Sequence, residues 1–465
     1  MNYLFYTLLA LFSFLPLPRG GTFDWAWLLM SVVVYLMAAA WLIGYLQGRV
    51  SVTPAFTAAR YVLGLLFIWL GWNLLQIVPL PIGLLEDVSH LSAEMYRLVT
   101  PDIVSAPISV DVNATREQLI TGMAYSLIFS LVLLLVDSIK RLRVFVLWLI
   151  ILGVVQAVIA SITLFSGQEI YYGASSAQGT FANRNQLAGY LQLNLAIGIG
   201  LLLSSMSEQG SRSWRERIRG WAQSLLSRKV RIRIYLAIMV ITLVLTHSRM
   251  GNTAFFSSMT IAGILALLLM KRSPRPVVIL LTSLVIIDIF IVSQWFGLEQ
   301  LKQRFEDLQE EKVSMDIRVN TLNRLNTSMS TRELHKEAAL TGTGGGTFFV
   351  IFPAYQDIGQ PGFFQHAHND YLEFMSDTGW IGILLLAAIV IITFSAALRA
   401  MRKRRYPLMR GMAFSSVMGI ISLMIHSSTD FNFRIPANAA LFMVILALGW
   451  IALAMPVEKG LNVKG

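Results

Sequence analysis

The stretch 362–380, GFFQHAHNDYLEFMSDTGW, gathers the groups able to do acid–base chemistry in a chain that is 55% hydrophobic. It holds two of the six histidines, His366 and His368, together with Asn369, Asp370, Glu373 and Asp377. Asp370 and Glu373 have the spacing of a capping box, which predicts a helix starting near Asp370 and running on into apolar sequence. His368 then stands just outside a helix N-terminus. The positive end of the dipole disfavours imidazolium there and leaves a neutral ring able to take a proton. Two other readings stay open. The residues are interfacial polar groups without chemistry, or His366, His368, Asp370 and Glu373 hold a metal. Against the metal, no third histidine lies at a supporting spacing.

A base of this kind needs elements to hold it, and composition says what they are. Mean hydropathy is +0.63, only 14% of residues are charged, and apolar runs of membrane-spanning length recur along the chain. The runs are continuous, not alternating, which excludes a barrel. The expected fold is all-α and polytopic, with about twelve transmembrane helices at 3–17, 25–46, 61–80, 119–136, 144–165, 187–206, 232–245, 253–270, 277–296, 380–398, 409–425 and 437–454. This divides the chain into spans one to nine (1–296), a long polar segment with the histidine motif (297–377), and spans ten to twelve (378–465). The N-terminus lacks a basic n-region and a small-residue cleavage site, so it reads as a first span and not a cleaved signal. The absence of cysteine excludes disulfides, thiolate-bound zinc and thiol nucleophiles.

Charge orients the bundle. With the N-terminus inside, the short cytoplasmic loops hold 24 basic residues and the short outer loops six, in keeping with the positive-inside rule. That bias accounts for the net charge of +11 without invoking nucleic acid. It also places GTFANRNQ, THSRMGN, the segment 297–377 and HSSTDFNFRIP on the outer face. Arg184, Arg249 and Arg434 sit at span edges on the side where arginine is disfavoured, each beside Asn, Ser or His. Ionisable groups at such depth carry a functional hypothesis. Their planar forks suit phosphate, and several beside a membrane and near a base suggest a lipid-linked diphosphate. The alternative is that they pair with Asp370, Asp377 or Asp430, or snorkel to headgroups. The run TGTGGGTF (341–348) lacks the ending of a P-loop, and its glycines predict a tight turn or close backbone approach. His247 reads as orienting a neighbour, and His426 as a span-edge or core histidine.

Five pieces taken together resemble the O-antigen ligase/polymerase superfamily of bacterial envelope glycosyltransferases. They are GTFANRNQLAGYL (179–191), HSRMGN (247–252), GTGGGTFFVIFPAYQ (342–356), HAHNDYLEFMSDTGWIG (366–382) and STDFNFRIPANAALF (428–442). The likeness covers most of 140–455, and HAHNDYLE…TGWIG is its most specific part. The resemblance implies a GT-C-like fold with its long periplasmic segment between spans nine and ten. It implies an enzyme of the bacterial inner membrane, with its site facing the periplasm. Such an enzyme transfers glycan from undecaprenyl-diphosphate to an acceptor hydroxyl, of a lipid A-core sugar or a growing polysaccharide, with inversion and with no metal or other cofactor. It further implies His368 as general base, Arg184 and Arg249 as ligands of the donor diphosphate, and Arg434 and Arg318 as weaker matches to that role. His366 and Asn369 join the expected substrate-binding set. Two other classes remain, a transporter or flippase of lipid-linked sugars and a non-catalytic envelope scaffold. Transporters place ionisable groups near the midplane, whereas these motifs gather at one face.

Overall fold

A computed structural model of the chain describes residues 2–167, 176–206, 228–270, 339–356 and 364–457. In chain order its elements are α1 (Asn2–Phe14), α2 (Asp24–Leu46), α3 (Pro54–Ala58), α4 (Arg60–Leu75), β1 (Leu80–Pro81), α5 (Ile82–Val88), α6 (His90–Val99), β2 (Ser105–Ala106), α7 (Val112–Leu135), α8 (Ile139–Ser166), α9 (Arg184–Met206), α10 (Arg228–Leu245), α11 (Arg249–Leu269), α12 (Phe348–Ile351), α13 (Asp370–Lys403), α14 (Pro407–His426) and α15 (Pro436–Ala454). Among the described residues, eight helices are long and apolar enough to cross a membrane: α2, α7, α8, α9, α11, α13, α14 and α15. The apolar α1 and α4 are shorter, and α10 opens on Arg228, Lys229, Arg231 and Arg233. These helices match eleven of the expected spans. The ninth, 277–296, and most of the segment 297–377 lie outside the described residues.

Several helices start earlier than their apolar runs, because polar residues cap them. Asp111 accepts from Asn113 N and Ala114 N at 2.9 and 3.2 Å and starts α7 at Val112. Asn183 Oδ1 accepts from Asn185 N and Gln186 N at 2.8 and 3.2 Å at the head of α9. Ser248 Oγ accepts from Gly251 N at 3.2 Å at the head of α11. Each cap satisfies N–H groups that a helix start otherwise leaves unbonded. As a result Arg184 and Arg249, expected in loops, are the first residues of α9 and α11. Between the third and fourth expected spans the chain folds as α5, α6 and an antiparallel pairing of β1 with β2, around a small core of Leu85, Ala93, Ala106 and Ile108.

The core is organised on α9. Its membrane-spanning window is wholly buried, and α14 packs along it. The two backbones meet at glycines. A Cβ on Gly200 would lie 2.3 Å from Gly411 O, and one on Gly411 would lie 2.2 Å from Gly200 O. Gly200→Val therefore forces α9 and α14 apart, and overpacking of this kind costs about 1–3 kcal/mol or more. At Gly64, inside α4, an added methyl would have nothing within 4 Å. Gly64→Ala should stabilise by about 0.5–1 kcal/mol through helix propensity. Thermal unfolding in detergent, followed by tryptophan fluorescence, should show opposite shifts for the two variants.

One end of the bundle collects the polar motifs. There the N-termini of α7, α9, α11, α13 and α15 meet the C-termini of α1, α4 and α14. Backbone bonds stitch these segments together: Asp370 N to Ser427 O (2.9 Å), Ala437 N to Gly20 O (3.0 Å), Ala177 N to Leu245 O (3.0 Å) and Val110 N to Thr343 O (2.9 Å). The basic turns at 140–143 and 402–405 lie at the other end, so the charge asymmetry of the sequence coincides with the two ends of the fold.

At the polar end α13 breaks. Gly379 has φ 64° and ψ −170°, a conformation open mainly to glycine, and it divides an entry segment, 370–378, from the long span. The glycine-rich run 341–346 lies directly against this break. Thr343 N donates to Ser376 O (2.9 Å), Gly344 N to Asp377 O (3.0 Å) and Trp380 N to Ala339 O (2.9 Å). A Cβ on Gly342 would stand 2.4 Å from Asp377 O. The run thus makes the close backbone approach that its composition predicts.

Candidate active site

The site is built around two buried carboxylates on the entry segment of α13, four residues apart and so on one helical face. Glu373 has three partners, two by hydrogen bond and Arg434 by ion pair. His366 Nδ1 is 2.9 Å from Oε1, Arg434 Nε is 2.8 Å from Oε1, and Ala367 N donates to Oε2 at 3.0 Å. Asp377 accepts from Gly346 N at 2.8 Å, from Phe348 N at 3.2 Å and from Arg434 Nη2. Arg434 completes its fork by donating Nη1 to Gln118 Oε1 at 2.7 Å, and its guanidinium lies over the Phe374 ring, 4.9 Å from the centroid. Burial alone works against its positive charge, but Glu373 and Asp377 outweigh that and raise its pKa. One cation therefore ties the histidine loop (through Glu373), the glycine-rich run (through Asp377) and α7 into a single unit.

Two of the expected substrate-binding residues have partners within the fold. Arg434 was expected to offer its fork to a diphosphate, but two carboxylates and a glutamine occupy that fork, and its side chain is only 16% exposed. The pairing with Asp377, raised as an alternative, is what the structure contains. Asn369 was expected to bind substrate. Its carboxamide oxygen caps α13, accepting from Tyr371 N at 3.0 Å and Leu372 N at 3.2 Å, so the helix cap falls one residue before the Asp370 of the expected capping box.

The two histidines share an aromatic neighbour. His366 stacks on Phe431 with centroids 4.3 Å apart and planes at 22°. His368 meets the same ring edge-on at 5.1 Å and 65°. His368 has φ +50°, a left-handed conformation uncommon outside glycine. It stands just outside the α13 N-terminus, as the sequence predicts. The neighbouring segment is fixed on one side by Ala367 N on Glu373 and on the other by Asp370 N on Ser427 O and Asp430 O (3.2 Å for the latter). Asp370 is buried, and its Oδ2 accepts from Phe433 N at 3.3 Å. Among the described residues no three His, Asp or Glu side chains are arranged to hold a metal ion.

A cavity of about 910 Å³ opens beside this unit. Its polar head is lined by Arg19, Gln118, Asn183, Gln186, His366 and Arg434. From there it continues along α13, α15 and α4 as an apolar slot walled by Leu66, Ile383, Leu386, Val390, Met443 and Leu446. Ile391 also lines it and is 62% exposed at the bundle's outer surface, so the slot reaches the face that the helices turn outward. From Gly379 to Ile391 is 12 residues, or roughly 18 Å at helical rise.

Arg184 and Arg249 are exposed at the polar end. Their helices touch one turn further in, where a Cβ on Gly251 would lie 2.6 Å from Ala188 Cβ, so the two arginines head adjacent helices. Neither side chain lines the cavity, although Asn183 and Gln186, on either side of Arg184, do. The exposed His247, φ +52°, immediately precedes the α11 cap. His426 is a core residue, fully buried with Nδ1 3.0 Å from Gln192 Nε2. Arg318 lies outside the described residues.

Arg19 is a wall residue that motif reading passed over. It sits in the turn after α1 with φ +57°, bridged to Phe181, in a turn where Thr180 Oγ1 donates to Pro16 O at 2.6 Å. It is one of the six basic residues on the sparsely charged side, so the charge-placement rule that singled out the other arginines applies to it too. Gln118 gave no signal, because its role depends on α7 crossing the start of α15.

No curated protein matches the chain. Residues 234–387 match the family model described as O-antigen ligase, a window holding the α11 head, the glycine-rich run, both histidines and both carboxylates. With these pieces gathered at one end of a bundle of apolar helices, the chain is similar to the O-antigen ligase/polymerase superfamily of membrane glycosyltransferases.

Proposed function

We propose that the protein transfers glycan from undecaprenyl-diphosphate to the hydroxyl of a saccharide acceptor, at the periplasmic face of the bacterial inner membrane. The observation that carries this reading is the two-part cavity. A polar head with arginine and histidine on its wall continues into an apolar slot that reaches the lipid-facing surface, which is the shape and polarity of a sugar on a lipid diphosphate.

His368 takes the proton of the acceptor hydroxyl while its oxygen attacks the anomeric carbon. The bond to the diphosphate breaks and its electron pair leaves with the phosphate oxygen, inverting the centre. Diphosphate is a good leaving group, so no protein acid is needed, and the charge it gains is stabilised electrostatically. Arg184 and Arg249 supply that stabilisation from the heads of two adjacent helices beside the cavity, and Arg19 supplies it from the cavity wall. Arg434 positions the histidine loop. The acceptor is a lipid A-core sugar or a growing polysaccharide.

The test is release of undecaprenyl diphosphate from glycan-bearing lipid by purified protein in vesicles with membrane-extracted acceptor. A flippase moves the lipid and releases none. Arg184→Lys and Arg249→Lys keep charge and lose the bidentate fork, so both should lower release strongly at normal protein level. Full release in both variants removes the diphosphate assignment.

A further inference from the structure

His366 has the stronger geometric claim to contact with a bound sugar. It lines the cavity, whereas the neighbouring His368 is not among the lining residues. Its Nδ1 is 2.9 Å from Glu373, and that carboxylate also takes Arg434 Nε and Ala367 N. An ionised carboxylate only accepts hydrogen bonds, so Nδ1 carries the proton, and in the neutral ring Nε2 is left as an acceptor. The ring cannot turn over without breaking this bond, and stacking on Phe431 fixes its plane. The side chain remains 29% exposed. In its neutral form the ring is thus an oriented acceptor on the cavity wall, in a polar head that also holds Arg19.

We propose that His366 Nε2 accepts a hydrogen bond from a saccharide hydroxyl other than the reacting one, and so sets the position of the glycan against His368. This inference rests on the glycan-transfer reading. A site built to pair with a hydroxyl discriminates through the unpaired group left when the match is lost.

The experiment compares His366→Phe with His366→Gln in the full-length protein. Phenylalanine keeps a ring against Phe431 and removes both nitrogens. Glutamine can donate its amide to Glu373 and present its carbonyl oxygen as acceptor. Transfer should fall on the order of tenfold or more in the Phe variant and recover to within a few-fold of wild type in the Gln variant. A merely space-filling histidine predicts the reverse order. Binding is read separately with two probes, bare undecaprenyl diphosphate and the same lipid carrying its glycan. Weakening confined to the glycan-bearing lipid assigns the hydroxyl to the donor. Unchanged binding of both probes with reduced transfer assigns it to the acceptor. Wild-type transfer in the Phe variant overturns the proposal. If the Phe variant loses its unfolding transition, the Gln variant decides: near-normal transfer supports the acceptor role, and loss to background overturns it. Failure of wild-type protein to bind either lipid would instead count against the transfer reading itself.

Discussion

His368→Ala is expected to lower glycan transfer by about 10²–10⁴-fold, the range lost with a positioned base, while lipid-linked donor still binds. The expectation follows from where the residue sits. His368 is held in a left-handed conformation one residue before the α13 cap, and the loop is pinned by backbone bonds to Glu373, Ser427 and Asp430. None of those bonds involves the imidazole, so removing the ring should leave the loop in place. In the proposed reading, donor binding depends on arginines of other elements. Transfer and binding should therefore separate in this variant, with transfer read as undecaprenyl diphosphate release and binding by thermal shift with undecaprenyl diphosphate. EDTA should change neither, whereas a metal held by His366 and His368 predicts loss and rescue by divalent ions. Near-normal turnover in His368→Ala would move the base to His366. That ring already has the arrangement of a base oriented by a buried carboxylate, so the site would need no rebuilding elsewhere.

Much of this was legible in the sequence, for identifiable reasons. Helix class and order follow from apolar runs, which act locally. The start of α13 near Asp370 and the position of His368 just outside it follow from a few adjacent residues. The close approach of the glycine-rich run follows from glycine's lack of a side chain, although its partner, the Gly379 break, does not. Partnerships across the chain were legible only as open alternatives, such as Asp370, Asp377 or Asp430 for the arginines. Arg434 meets Gln118 across 316 positions, and no spacing rule reports such a contact. The same sequence signal, an arginine at a span edge beside polar residues, describes Arg434 in its buried fork and Arg184 and Arg249 at exposed helix heads. Only packing separates them. Asp377 drew attention as a polar residue near the histidines, but its function as receptor for two backbone N–H groups of the glycine-rich run needed the kink in α13 to be seen.

Arg434→Ala should be the most destabilising single change at the site, and it distinguishes the structural role of this arginine from the diphosphate role. Removing the guanidinium leaves Glu373 and Asp377 buried on one helical face without their shared cation. Truncating one partner of a buried ion pair costs about 3–5 kcal/mol, and here two carboxylates lose the same partner. Gln118 Oε1 also loses its donor, and the contact with Phe374 is lost. Thermal unfolding in detergent should therefore fall well below wild type, and protease cleavage within 364–370 should speed up. Arg434→Lys keeps a charge but cannot reach Glu373, Asp377 and Gln118 together, so it should recover only part of the loss. Glu373→Gln combined with Arg434→Ala removes one of the two stranded charges and should be less destabilised than the sum of the single changes. An arginine whose main partner is the donor diphosphate predicts a different pattern: unchanged unfolding without lipid, with loss confined to donor affinity. That pattern would return Arg434 to the diphosphate beside Arg184 and Arg249.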